Sequence, residues 1–141
     1  MNNVLFCEHV TIYNHAMLNR EDVWYRTVLS GVQFRNKHNA VVSDGKKDIV
    51  NSVVITIPAD VNAHGKMYVS PQEFAKTAEK DALWTLNPAS DMDVVVYGIC
   101  QEDITDDFTL KDLFEQYGAY TIRAVTDSRM RQLPIWKVSC V

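Results

Sequence analysis

Cysteine is scarce in this chain: three residues, Cys7, Cys100 and Cys140, lie far apart and each sits beside apolar neighbours. An odd, dispersed set does not make a disulfide framework, so all three are expected as reduced thiols in the core. Glycine is sparse too, five residues with none clustered, which removes the raw material for a phosphate-cradling loop. There is no Gly-x-Ser-x-Gly, and neither Cys7 nor Cys100 has an adjacent lysine or arginine to activate a thiol. Basic excess is missing: 14 lysines and arginines face 18 acidic residues, and a formal charge of −4 argues against a tight grip on nucleic-acid phosphates. No apolar run is long enough to cross a bilayer, so no membrane partner is expected. The opening Met1-Asn2-Asn3-Val4-Leu5-Phe6-Cys7 lacks both a basic leader and a long apolar segment, and the expectation is a protein that folds in the cytoplasm of the cell that makes it.

What remains is ordinary globular material, 47% hydrophobic and 23% charged over 141 residues, enough for one self-sufficient domain spanning 1–141. Short β signatures dominate. Residues 10–14 alternate apolar and polar, with a connecting loop expected from Asn14-His15 to Asp22. Residues 23–34 make the longest strand, bent or bulged at Gly31. A polar loop is expected over 36–51, containing the Asp44-Gly45 turn. Strands follow at 53–57, 67–69, 83–86 and 94–97, with turns at 62–66 and 87–91. Val94-Val95-Val96 shows no alternation, which predicts that both its faces are covered. Ser70-Pro71-Gln72-Glu73 predicts a short helix over 71–78, and Thr109 opens a second whose apolar positions Leu110, Leu113, Phe114 and Tyr117 end at Gly118. The runs 120–127 and 133–141 close the chain as a hairpin. The pattern is mainly β: a small antiparallel β-barrel or sandwich with two short helices.

Candidate chemistry is thin. His9, His15, His38 and His64 fall on separate elements without metal-ligand spacing, so no metal, cofactor or catalytic residue is assigned. The acidic run 102–107 has the composition to hold a hard cation, but it lacks a regular ligand spacing and reads as a solvated loop beside a helix N-terminus. Arg129, Met130 and Arg131 at the tip of the last hairpin are candidate partner contacts, with a solubilising turn as the alternative. Lys46 and Lys47, just after the Asp44-Gly45 turn, are the other candidates. Three tryptophans and six tyrosines are material for a core, for an interface, or for the pocket of a small-ligand-binding barrel.

Three stretches together carry a resemblance: Val10-Thr11-Ile12-Tyr13-Asn14, then Trp24-Tyr25-Arg26-Thr27-Val28-Leu29-Ser30-Gly31-Val32, then Ile122-Arg123-Ala124-Val125-Thr126-Asp127 with Trp136-Lys137-Val138. They resemble minor capsid proteins of tailed bacteriophages, in particular the head-closure, or stopper, group of head-tail connectors. The helix expected between Ser70 and Asp81 is an addition to the simplest barrel of that kind. The resemblance implies a non-enzymatic virion protein, assembled in the host cytoplasm and placed at the head-tail junction. It would form a ring, with portal or adaptor on one side, tail-completion or tail proteins on the other, and passing contact with genomic DNA in the channel. The polar loops 36–51 and 87–93 are the expected lumen-facing segments. A tail-completion or tail-terminator protein is the alternative within the virion, and a small-ligand-binding barrel the alternative outside it.

Overall fold

The computed structural model describes residues 6–43 and 46–141; the side chains of 37–51 lie outside that description, as do the Asp44-Gly45 turn and the side chains of Lys46, Lys47 and His38. Six strands close into an antiparallel barrel in the order β1-β2-β3-β8-β7-β6. In chain order these are β1 (Glu8–Leu18), β2 (Glu21–Ser43), β3 (Lys46–Pro58), β6 (Val94–Tyr97), β7 (Tyr120–Asp127) and β8 (Ile135–Cys140). Between β3 and β6 come β4 (Met67–Tyr68), helix α1 (Pro71–Lys76) and β5 (Leu83–Trp84); helix α2 (Leu110–Tyr117) lies between β6 and β7.

The expected loop after residue 14 is a strand. β1 runs to Leu18 and turns through Asn19 and Arg20 alone, both left-handed at φ 52° and 66°, as a type I′ hairpin turn requires. His15 and Met17 are polar or exposed because they approach the turn, and that made strand look like loop. Gly31 bears out the expected bulge. Its φ is +95°, and the β1–β2 register slips between Glu8↔Val32 and His9↔Ser30, leaving Gly31 as the extra residue.

The larger correction concerns 36–51. The expected polar loop is a continuation of β2 and β3 as a two-stranded ribbon, paired down to Ser43↔Lys46. β1 accompanies β2 only as far as Val32, and β8 accompanies β3 only from Val53. A ribbon that continues past its flanking strands is paired on one side only, so its sequence is free of the alternation that a sheet face requires and its polar content imitates a loop. Strand directions place the ribbon at one end of the barrel and the β1–β2 and β7–β8 turns at the other.

Alternation sorts the core into two layers. Val10, Ile12, Leu29, Val32, Ile55, Ile57, Val95, Ile122 and Val138 fill the barrel with Trp84, Leu86 and Trp136. Tyr13, Val94, Val96, Cys100 and Leu113 form a second cluster outside the wall, joined by Trp24, Ile104, Phe108 and Leu110. Both faces of Val94–Val96 are covered, as the missing alternation predicted. Helix α2 sits on this outer face. Thr109 accepts from the Asp112 amide and the Asp112 carboxylate accepts in return, while Gly118 ends the helix at φ 70°. Ser70 caps α1 through the Glu73 amide, and that helix stops two residues short of the expected end, with Thr77 extended.

β5 covers only two of the four expected residues, and it runs parallel to β4 in a separate small sheet. Cys100 and Cys140 are buried as expected, whereas Cys7 lies at the surface, since it precedes the first barrel strand. The loop 87–93 is tightly anchored: Trp24 Nε1 donates to the Met92 carbonyl at 3.0 Å, Arg123 pairs with Asp91 at 2.7 Å, and Asp93 is buried.

Candidate functional site

The predicted contact residues fall at the two ends of the barrel. At the turn end, the β7–β8 connection carries Arg129, Met130 and Arg131. Arg129 is held within the molecule: Nε and Nη2 donate to the Asp127 carboxylate at 2.9 and 2.7 Å, and the guanidinium lies 4.9 Å from the Tyr68 ring centre and 4.7 Å from that of Trp136. Hydrogen bonding from Arg129 holds the Asp127 carboxyl below the usual carboxylate range, and the same bond raises the arginine. Arg129 therefore caps the Tyr68–Trp84–Trp136 aromatic cluster. Met130 is 99% exposed, Leu133 is 60% exposed, and Arg131 is exposed between them. The tip thus offers two apolar side chains and one cation on a base stiffened by Arg129.

At the opposite end stands the ribbon. Its pairs from His38↔Asn51 to Ser43↔Lys46 extend about 20 Å at the usual rise per residue. Among the described residues no third strand joins either outer edge there. Lys46 and Lys47 belong to β3 at its distal end, so the structure does not bring them together with Arg129.

Other expectations resolve simply. The run 102–107 is a structured loop: Tyr13 donates to the Glu102 carbonyl, Arg26 Nε pairs with Asp103 at 3.0 Å, and Thr105 Oγ1 accepts from the amides of Asp107 and Phe108. Among the described residues, no group of three or more His, Cys, Asp or Glu side chains converges on a metal-sized point, and no helix is long and apolar enough to cross a membrane.

Two constellations escaped sequence reading. Asn14, Thr85 and Asp93 form a buried polar latch. Asn14 Nδ2 donates to the Thr85 carbonyl at 2.7 Å and to Asp93 Oδ2 at 2.8 Å, the Thr85 amide donates to Asn14 Oδ1 at 3.1 Å, and the His15 amide donates to Asp93 Oδ1 at 2.9 Å. Burial pushes the Asp93 carboxyl up, against the hydrogen bonds that pull it down. The second constellation joins His9 Nδ1, Ser30 Oγ and His64 Nε2, with 2.9 Å on each side of the hydroxyl. Ser30 has one proton to give, so at least one imidazole donates to it. His9 and Ser30 are register partners, a proximity that strand pairing alone would have revealed.

Over residues 6–141 the chain matches the family of unknown function DUF6751. The protein belongs to that family. No curated protein and no solved structure matches it.

Proposed function

We propose that this DUF6751 protein is a non-enzymatic structural component of a tailed-phage virion, a head-closure ring subunit at the head-tail junction. Assembled in the host cytoplasm, it would seal the DNA channel and give the tail its docking surface. The observation that carries the reading is the ribbon. A two-stranded hairpin is marginal in water, and a strand edge left open pairs readily with another chain. The barrel closes without the ribbon, so the ribbon's length has its use between subunits. In sequence its middle carries aliphatic residues on both strands, with Ala40 paired to Ile49 and Val41 and Val42 following opposite Asp48 and Lys47. The tip with Met130 and Arg131 lies at the other end, which suits a subunit that meets portal or adaptor on one side and tail proteins on the other. Among the described residues the barrel interior is filled by core side chains, which disfavours a ligand seated inside it.

Electron microscopy of particles made without this gene tests the proposal. Separate tails beside tailless, DNA-leaking heads are expected. Tails of uncontrolled length would point to a tail-terminator and overturn the head-closure role; fully joined virions would overturn the virion role altogether. A variant with 38–51 replaced by a two-residue turn is expected to keep the barrel and fail to restore joined particles.

A further inference from the structure

On the outer wall of the barrel, away from both ends, Arg26, Thr27 and Val28 of β2 meet Ala63, His64 and Lys66 of the β3–β4 connection and Ile99 after β6, around a cavity of about 330 Å³. That is at the lower end of the range for small-ligand sites. Its floor is cationic in a chain whose formal charge is −4. Lys66 Nζ donates to the Arg26 carbonyl and, at 3.2 Å, to Thr27 Oγ1, two neutral acceptors that fix the ammonium in place and leave its charge unbalanced. Among the described ion pairs none includes Lys66. Burial lowers its proton affinity, with Asp81 and Asp103 acting the other way and Arg26 adding to the fall, as expected for an ammonium that has lost water without gaining a carboxylate at ion-pair distance.

Arg26 is committed on one side only. Its Nε pairs with Asp103 at 3.0 Å and Nη1 donates to the Cys100 carbonyl at 3.1 Å. The charge count then selects the ligand class. Among the residues lining the cavity Arg26 is paired with Asp103 and Lys66 has no ion-pair partner, Asp81 lying beyond ion-pair distance, so the lining offers one positive charge to a single negative charge. Val28, Ala63 and Ile99 supply an apolar wall for the body that carries it.

We infer that this cavity is a binding site for a carboxylate with a short apolar body, the carboxylate seated on Lys66 Nζ and the body against Val28, Ala63 and Ile99. The bearer is a free small acid or an acidic side chain of a neighbouring protein. The inference stands apart from the proposed virion role, because it concerns the wall and neither end.

The test is an amide-shift NMR titration of the full chain with butyrate, with a blocked glutamate peptide and with inorganic phosphate, at constant ionic strength. Saturable shifts at His64, Lys66 and Ile99 are expected with one or both carboxylates, with half-saturation on the order of 1 mM. Butyrate binding alone identifies a free acid, and peptide binding a protein side chain. Lys66→Met is expected to weaken binding roughly tenfold or more, the loss of one charge-assisted hydrogen bond. Lys76→Met, the same change on the exposed face of α1, is expected to leave it unaltered. Ile99→Glu places a competing carboxylate at the half-exposed mouth and is expected to abolish binding, which keeps the test decisive if Lys66→Met fails to fold. No saturable shift with either carboxylate, saturation unchanged by both cavity variants, or phosphate bound more tightly than the carboxylates would overturn the inference.

Discussion

Replacing Asp93 by alanine tests whether the polar latch holds the barrel together. The carboxylate is 1% exposed and accepts from Asn14 Nδ2 at 2.8 Å, the His15 amide at 2.9 Å and the Asn87 amide at 3.3 Å. Two good bonds to a charged acceptor at roughly 1.5 kcal/mol each, and roughly 0.5 kcal/mol for the long one, give about 3.5 kcal/mol. Removing a buried charge offsets about 1 kcal/mol of this. The net loss is then about 2.5 kcal/mol, or about 8 °C in Tm for a domain of this size. Asp93→Asn keeps the shape and one acceptor while turning an amide N–H toward a donor, so it is expected to cost about 1–2 kcal/mol. Urea unfolding followed by tryptophan fluorescence reads both, because Trp24 is bonded to the adjoining Met92 carbonyl. The pH profile carries the sign. The folded carboxyl is raised, so above the ordinary aspartate value of about 3.9 the unfolded chain releases a proton that the folded chain retains. The stability of the native protein relative to Asp93→Asn should therefore fall as pH rises through that window and level off above the folded value. Asp93→Ala within 0.5 kcal/mol of the parent (about one third of a single such bond), or a difference that grows with pH, would refute the reasoning.

Three other outcomes are expected. Arg20 is a non-glycine residue at φ 66° in a two-residue turn, so Arg20→Gly should stabilise the protein by about 0.5–1 kcal/mol, read as a higher urea midpoint. Burial pushes the Cys140 thiol up to about 12, so a thiol reagent at pH 8 should label surface Cys7 in the native protein and reach Cys140 only on unfolding. Arg129→Ala should lower stability by about 0.5–1 kcal/mol and alter tryptophan emission, whereas Met130→Ala should leave stability unchanged and reduce only the recovery of joined virions in a complementation assay.

Local chemistry in the sequence determined most of the elements. Thr109 and Gly118 bracket α2, Ser70 and Pro71 open α1, Gly31 makes the bulge, Val94–Val96 has two covered faces, and the last two runs pair as a hairpin, because caps, bulges and tight turns act within a few residues of themselves. Tertiary structure alone decided what lies beside what. Any of these apolar strands is compatible with several neighbours, and only closure of the whole ring sets β3 against β8 and β6 against β1. The bond from Asn14 to Asp93 crosses 79 positions, Arg129 stacks on Tyr68 from another sheet, and Lys66 meets Arg26 across 40 positions. The ribbon is hidden in the sequence for the converse reason. A strand is recognised in sequence by the alternation that a sheet face imposes, and the strands of 38–51 pair only with each other, beyond the reach of β1 and β8.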